Sequence, residues 1–496
     1  MFSRVSFRKF VSPYVFLILI AVVLTILTDV YVLDYGISYR EVIVALVLVA
    51  AIRVLMAGHR GLKVGLVFLV ATFGLGYRTI EMIPGVRVHP SELVVLGLVA
   101  LLIIQQAMWR RSKVRIWLPT WLILFIPFLL WGWWPLFSGG TKWELMFSEF
   151  KNFIILIPLC VLSNTVLVEK SGWRSVLLTF YLVGAWIAAM GILEYLYPQV
   201  KTLLPGFVSD PIPYETGEGF QRATFSFWGS VDAVYVCVLA LPMSTAIWEW
   251  WSTSWTRVLN VLLTATMLGG VYISGHRNTW IMITLQFLGF LAIKKQYLLG
   301  VGVLFVFLLA YQVLPNAAKD RIYSAAELVT GQPLKYDTSG TKRWDRTTTS
   351  FNNSLEKPLG RGWAAAGWVH DDFLQVAENL GLAAGALFFG AFLFTLLRLW
   401  LWVRAEPQWH EERTRGEALL LSFACAGIIL ATDAASELTQ FILPIWFIWV
   451  SVEVCLRQAH IKRATIYETS ANLGTFANVQ LFDGRARYTR SSQMGR

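Results

Sequence analysis

The residues best able to do chemistry in this 496-residue chain are few and far apart. The stretch from Lys342 to Gly385 reads KRWDRTTTSFNNSLEKPLGRGWAAAGWVHDDFLQVAENLGLAAG, and it sets charge, glycines and His370 among otherwise apolar runs. A neutral imidazole can take a proton near pH 7, which few unperturbed side chains do. In SGHRNTW, Arg277 stands in a Gly-containing polar turn that interrupts a single long apolar stretch. A guanidinium there either points inward, where it can hold a phosphate through two parallel N–H bonds, or snorkels to lipid headgroups. Arg222 lies in GEGFQRATFSFWGSVDAVYV, just ahead of an apolar run, and taken alone is a loop charge. His370 taken alone is equally compatible with a structural histidine at an interface. Proton abstraction and phosphate binding are the two chemistries these residue types allow.

The elements that must position these groups are helices. Phe373, Val376, Ala377 and Leu380 recur at helical spacing, with Asp371, Gln375 and Glu378 on another face, so His370 sits at the mouth of an amphipathic helix that leads into an apolar one. The chain is 56% hydrophobic and only 15% charged. Runs of about 20 apolar residues recur, each long enough to cross a bilayer core of roughly 30 Å. The expectation is an all-α, polytopic membrane protein with about 12–14 transmembrane helices and a long extracytoplasmic loop. Spans are predicted near 13–33, 41–57, 62–77, 92–109, 117–137, 148–168, 174–197, 231–250, 258–274, 278–294, 296–314, 375–403, 416–432 and 438–457.

These spans divide the chain into N-terminal membrane helices (1–197), central helices whose outer loop carries Arg222 and whose turn carries Arg277 (198–314), a long outer loop (315–372), C-terminal helices (373–460) and a disordered tail (461–496). No internal repeat is apparent. The first apolar run follows a basic flank without a small-residue cleavage site, which predicts an uncleaved span rather than a signal peptide. The four cysteines all lie in apolar runs, so the sequence suggests neither a disulfide framework nor a zinc site.

The net charge of +11 does not point to nucleic acid, because the basic residues fall mainly in short connections. If Arg4, Arg8 and Lys9 are cytoplasmic, every second connection should be rich in Lys and Arg. Those connections hold Arg60 and Lys63, then Arg110, Arg111, Lys113 and Arg115, Lys170 and Arg174, Arg257, Lys294 and Lys295, and Arg404, Arg413 and Arg415. The alternation predicts both termini inside and both long connections, 198–230 and 315–372, outside. Arg222, Arg277 and His370 then share one face and one depth. Charged groups at such depth usually serve a site or a partner.

Taken together, these patterns resemble the O-antigen ligase and polymerase superfamily of bacterial glycosyltransferases. The resemblance rests on an Arg with small residues before a middle span (QRATFSFWGS) and a Ser274-Gly275-His276-Arg277 turn between spans. It rests also on an outer loop with Arg343-Trp344 and Pro358-Leu359-Gly360-Arg361-Gly362, closed by His370-Asp371-Asp372-Phe373-Leu374 through Glu378 to Gly381. It covers roughly 220–400 by motif and the whole chain by span pattern. Two motifs depart from the family: Asp371 stands where Asn is common after the histidine, and His276 and Asn278 stand where small residues are commoner in the turn.

The resemblance implies a GT-C-like enzyme in the bacterial inner membrane that transfers glycan at the outer face. Its donor would be an oligosaccharide on a polyprenyl diphosphate, and its acceptor a sugar hydroxyl, with other polysaccharide-assembly proteins as partners. His370 matches the general base, and Arg222, Arg277 and Arg343 match contacts to the diphosphate. The scheme calls for no cofactor and no metal. Polymerase is preferred to ligase because the 315–372 loop is mixed in charge, eight Lys or Arg against seven Asp or Glu, where a site for phosphorylated lipid A core would be more basic. The rival class is a flippase for the same lipid-linked glycan, but the two halves show no matched pair of broken spans.

Other features are expected to be structural. Most of the 23 Trp fit interfacial belts, although Trp344, Trp363 and Trp368 could stack on sugar. Gly381 and Gly385 fit close helix packing, and Asp433 with Glu437 fits an interfacial pair better than an acid/base dyad.

Overall fold

Apolar stretches of this length have few stable conformations in hydrocarbon, because each backbone N–H and C=O must be paired within the segment. The computed structural model describes residues 59–75, 80–83, 86–109, 117–138, 143–197, 230–296, 338–366, 369–406, 411–433 and 442–462. The described helices are α1 (His59–Thr72), α2 (Pro90–Trp109), α3 (Thr120–Trp131), α4 (Pro135–Ser138), α5 (Trp143–Ile154), α6 (Leu156–Val166), α7 (Lys170–Leu196) and α8 (Ser230–Ala240). They continue with α9 (Met243–Trp250), α10 (Ser254–Ser274), α11 (Arg277–Lys294), α12 (Thr338–Glu356), α13 (Asp372–Leu380), α14 (Leu382–Ala405), α15 (Glu411–Thr432) and α16 (Ile442–Lys462). One short antiparallel ribbon, β1 (Ile80–Ile83) with β2 (Val86–Val88), is the only sheet among the described residues.

Among the described residues, seven segments are long and apolar enough to cross a membrane: Thr120–Phe137, Trp143–Val166, α7, α10, α14, α15 and α16. An eighth arises if α8 and α9, bent by 46° at their junction, form one span. The bend falls at Pro242, which has no N–H to donate and whose ring clashes with the preceding turn. The chain is therefore an all-α multi-pass membrane protein.

Several predicted spans change in detail. Those near 13–33, 41–57 and 296–314 lie outside the described residues, as does most of the 461–496 tail. The span predicted at 62–77 ends at Thr72 and gives way to a 3₁₀ turn and the ribbon. The span predicted at 375–403 is corrected to two helices. Gly381 separates them at φ +102°, and α13, lined by the buried Asp372, Gln375, Glu378 and Asn379, is not part of the crossing.

The helices pack around α15 and α16, which are almost wholly enclosed. Aromatic rings fill the centre: Trp121 stacks on Trp449 at 4.6 Å and Phe392 on Phe423 at 4.3 Å. Trp446 and Trp449 are fully buried there, which departs from the expected interfacial belt. Trp446 Nε1 donates to the Asn152 carbonyl at 2.6 Å, so its one polar atom is paired away from water.

Charge collects at the two ends of this bundle. At one end Lys170 and Arg174 pair with Glu411, Lys294 and Arg413 with Glu417, and Lys462 with Glu412. This is the end formed by the connections that are rich in Lys and Arg. Asp433 lies at the opposite end of α15, with His370 beside it.

At that opposite end the Pro358–Trp363 loop is clamped between α13 and the α3–α4 corner. The Arg361 and Gly362 N–H groups donate to the carbonyls of Glu378 and Asn379, Trp363 N–H donates to Gly132 O, and Leu382 N–H donates back to Pro358 O. Gly360 and Gly362 both adopt positive φ, +87° and +92°. A Cβ on Gly360 would meet Asn379 O at 2.5 Å and Gly381 N at 2.6 Å, both backbone atoms that cannot swing aside. Gly360→Ala is therefore expected to destabilise the protein by roughly 2–5 kcal/mol, from left-handed strain plus overpacking. The measurement is the thermal unfolding midpoint in detergent. Gly390→Ala, with nothing within 4 Å of its added Cβ, is the control and should unfold like wild type. Equal midpoints for the two variants would contradict the clamp.

Candidate functional site

The imidazole of His370 is held by the start of α13. Asp371 caps that helix, its side chain accepting the Leu374 N–H at 3.0 Å. Asp is among the residues that cap helices best. Burial raises the Asp371 carboxyl above its ordinary value, and the N–H groups of Leu374 and Phe373 pull it part of the way back.

The partner of His370 is Asp433, one residue beyond α15. Asp433 Oδ1 lies 3.4 Å from His370 Nδ1, at the long end of hydrogen-bonding range. Its Oδ2 accepts the Tyr235 hydroxyl at 2.7 Å. Tyr235 projects from α8 and packs edge-on against the His276 ring, centroids 5.5 Å apart. Burial pushes the Asp433 carboxyl up, but hydrogen bonds from His370 and Tyr235 and the charge of Arg343 outweigh it and hold it at about 2. Asp433 is thus an anion throughout the neutral range. An Nδ1–H shared with this carboxylate leaves the imidazole lone pair on Nε2, the nitrogen that can receive a proton.

The remaining walls come from α10–α11, α12 and α15. Gly275 turns the chain at φ +61°, Ser274 Oγ accepts the His276 N–H at 3.2 Å, and Thr279 donates to His276 O at 2.7 Å. Asn278 reaches Thr432 Oγ1 at 3.3 Å, and Arg343 reaches the Thr432 carbonyl at 3.4 Å. Four separate segments thereby converge on the end of α15. The structure brings His370 and Arg343 together and sets the backbone of Arg277 in the adjoining turn. The side chain of Arg277 lies outside the described residues, and so does Arg222.

Two residues that the sequence does not single out as catalytic belong to this site. Asp433 is the partner of His370 and Tyr235, and Glu437, its expected interfacial partner, lies outside the described residues. The available signal for Asp433 is its place, an acid closing a span whose other end is heavily charged. Tyr235 carries no signal, being one aromatic residue in an apolar run. Trp363 is excluded as a sugar platform: it is 1% exposed, with its indole N–H on Leu129 O. Trp344 is exposed, and Trp368 lies outside the described residues. Gly385 packs against Ala377 with no room for a side chain, as close helix packing predicts.

A second polar knot braces the first. Glu149 accepts the Ala364 N–H and the Asn379 amide, each at 2.8 Å, while Arg361 and Asn353 both bond Glu378 at 2.8 Å. Among the described residues no group of three or more His, Cys, Asp or Glu is arranged to hold a metal ion. In comparisons with known proteins, no family model and no curated sequence matches this chain.

Proposed function

We propose that this protein is a membrane glycosyltransferase of the O-antigen ligase and polymerase type. It transfers an oligosaccharide from a polyprenyl diphosphate to a sugar hydroxyl at the outer face of the bacterial inner membrane. The observation that carries the reading is the imidazole of His370 backed by the anionic Asp433, with Arg343 beside it. This group sits at the end of the bundle opposite the basic connections. Positive connections stay cytoplasmic, which favours an outer position for His370.

In this reading His370 Nε2 takes the proton of the acceptor hydroxyl as its oxygen attacks the anomeric carbon. The bond from that carbon to the diphosphate oxygen breaks, and the electron pair leaves on the polyprenyl diphosphate. Arg222, Arg277 and Arg343 neutralise the departing charge. Asp433 keeps the proton on Nδ1 and stabilises the imidazolium that forms, while Tyr235 orients Asp433.

The test is purified protein in detergent with a polyprenyl-diphosphate-linked repeat unit. New glycosidic bonds are expected, as a ladder of longer chains on the carrier. Product formed only when lipid A core is supplied would move the assignment from polymerase to ligase. No new bond under either condition, with lipid-linked glycan moved across proteoliposomes, would replace the reading with a transporter.

A further inference from the structure

Helix α12 has an unusual division of faces. Its inward side is small and polar: Ser350 and Ser354 are 2% and 0% exposed, and Asn353 bonds Glu378 of α13. Its apolar residues point away from the protein, with Trp344, Phe351 and Leu355 69%, 48% and 53% exposed. At about 100° per residue these three fall within about 40° of one another, so they form one narrow stripe. Asp345, Asn352 and Glu356, also exposed, occupy the flank about 100° round from it. The hydroxyls of Thr348, Thr349 and Ser354 turn back onto carbonyls of their own helix, at 2.7–2.9 Å, and ask nothing of a partner.

What covers the stripe is indicated by where it leads. Beyond the helix end it continues to Leu359, 71% exposed, whose carbonyl accepts the Trp131 indole N–H at 2.8 Å. Trp131 ends α3, and α3 belongs to a membrane-crossing segment that turns Leu124 and Leu130 outward, 56% and 60% exposed. The stripe is thus continuous with the lipid-facing side of a span. A helix with one compact apolar edge, one charged edge and an exposed Trp has the composition of an interfacial helix.

We propose that α12 lies in the bilayer interface on the His370 side, with Trp344, Phe351 and Leu355 sunk into the boundary between headgroups and acyl chains. The lipid contact then sets the depth of Arg343 and of the His370 site. This inference does not depend on the reaction catalysed.

The test uses the full-length protein in phosphatidylethanolamine–phosphatidylglycerol vesicles, with nitroxides on Phe351→Cys, Leu355→Cys, Asp345→Cys and Asn352→Cys. The four native cysteines are buried and should not label. Relaxation by oxygen should exceed relaxation by a water-soluble nickel complex at 351 and 355, with the order reversed at 345 and 352. Dominance of the nickel complex at all four positions would place the stripe in water. Protection of 351 and 355 from both reagents would mean a protein covers it, whether a partner or a second copy. Either result overturns the proposal.

Discussion

Replacing His370 with alanine is expected to stop glycan transfer, lowering the rate by about 10²–10⁴-fold, the usual contribution of a positioned general base. Binding of the lipid-linked donor should survive, because the groups assigned to the diphosphate are arginines and not the imidazole. Asp433→Asn should cost less: kcat falls while KM stays close to wild type, since Asp433 acts on the imidazole and not on the substrate. The Asp433 carboxyl is held at about 2, below its ordinary 3.8. Its stabilising contribution is therefore complete above the ordinary value and is lost only as pH falls toward about 2. No limb of an activity profile in the neutral range belongs to it. Transfer at near-normal rate by His370→Ala would return this residue to a structural role, and an unaltered kcat for Asp433→Asn would detach the carboxylate from catalysis.

Arg277→Ala and Arg222→Ala are each expected to reduce transfer by roughly 30- to several-thousand-fold, with protein levels near normal. Removing a charge-assisted hydrogen bond from a desolvated site costs about 2–5 kcal/mol. Lysine should rescue poorly at either position, because an ammonium is a point donor without the planar fork of a guanidinium. The readout is product formed from the diphosphate-linked donor, together with donor affinity. Activity close to wild type in Arg277→Ala would leave that residue as an anchor among lipid headgroups.

Local pattern reveals most of the fold, and the exceptions share a physical cause. The crossings at α7, α14, α15 and α16 are legible because length and hydropathy alone decide whether a helix spans. The α8–α9 bend and the α13–α14 break occur at Pro242 and Gly381, residues that punctuate helices in any setting. Helix α12 reads only as loop, since its stripe of Trp344, Phe351 and Leu355 is thin among many serines and threonines and the helix leans on α13. Trp446 and Trp449 read as belt residues because hydropathy cannot separate a helix facing lipid from one facing other helices. The site divides the same way. His370 announces itself by standing in a polar segment, whereas Tyr235 and Asp433 meet it across long separations in sequence that no local spacing encodes.

That convergence on the end of α15 bears on how the protein is made. Tyr235, the turn at Arg277, Arg343 and His370 are all synthesised before Thr432 and Asp433, the residues on which they meet. Synthesis runs from the N-terminus, and earlier segments can insert and pack while later ones are still on the ribosome. Until α15 has entered the membrane, the Tyr235 hydroxyl and the His370 imidazole have no common carboxylate. A nascent chain therefore cannot carry a finished site, and truncations before Thr432 should accumulate as inserted but inert protein.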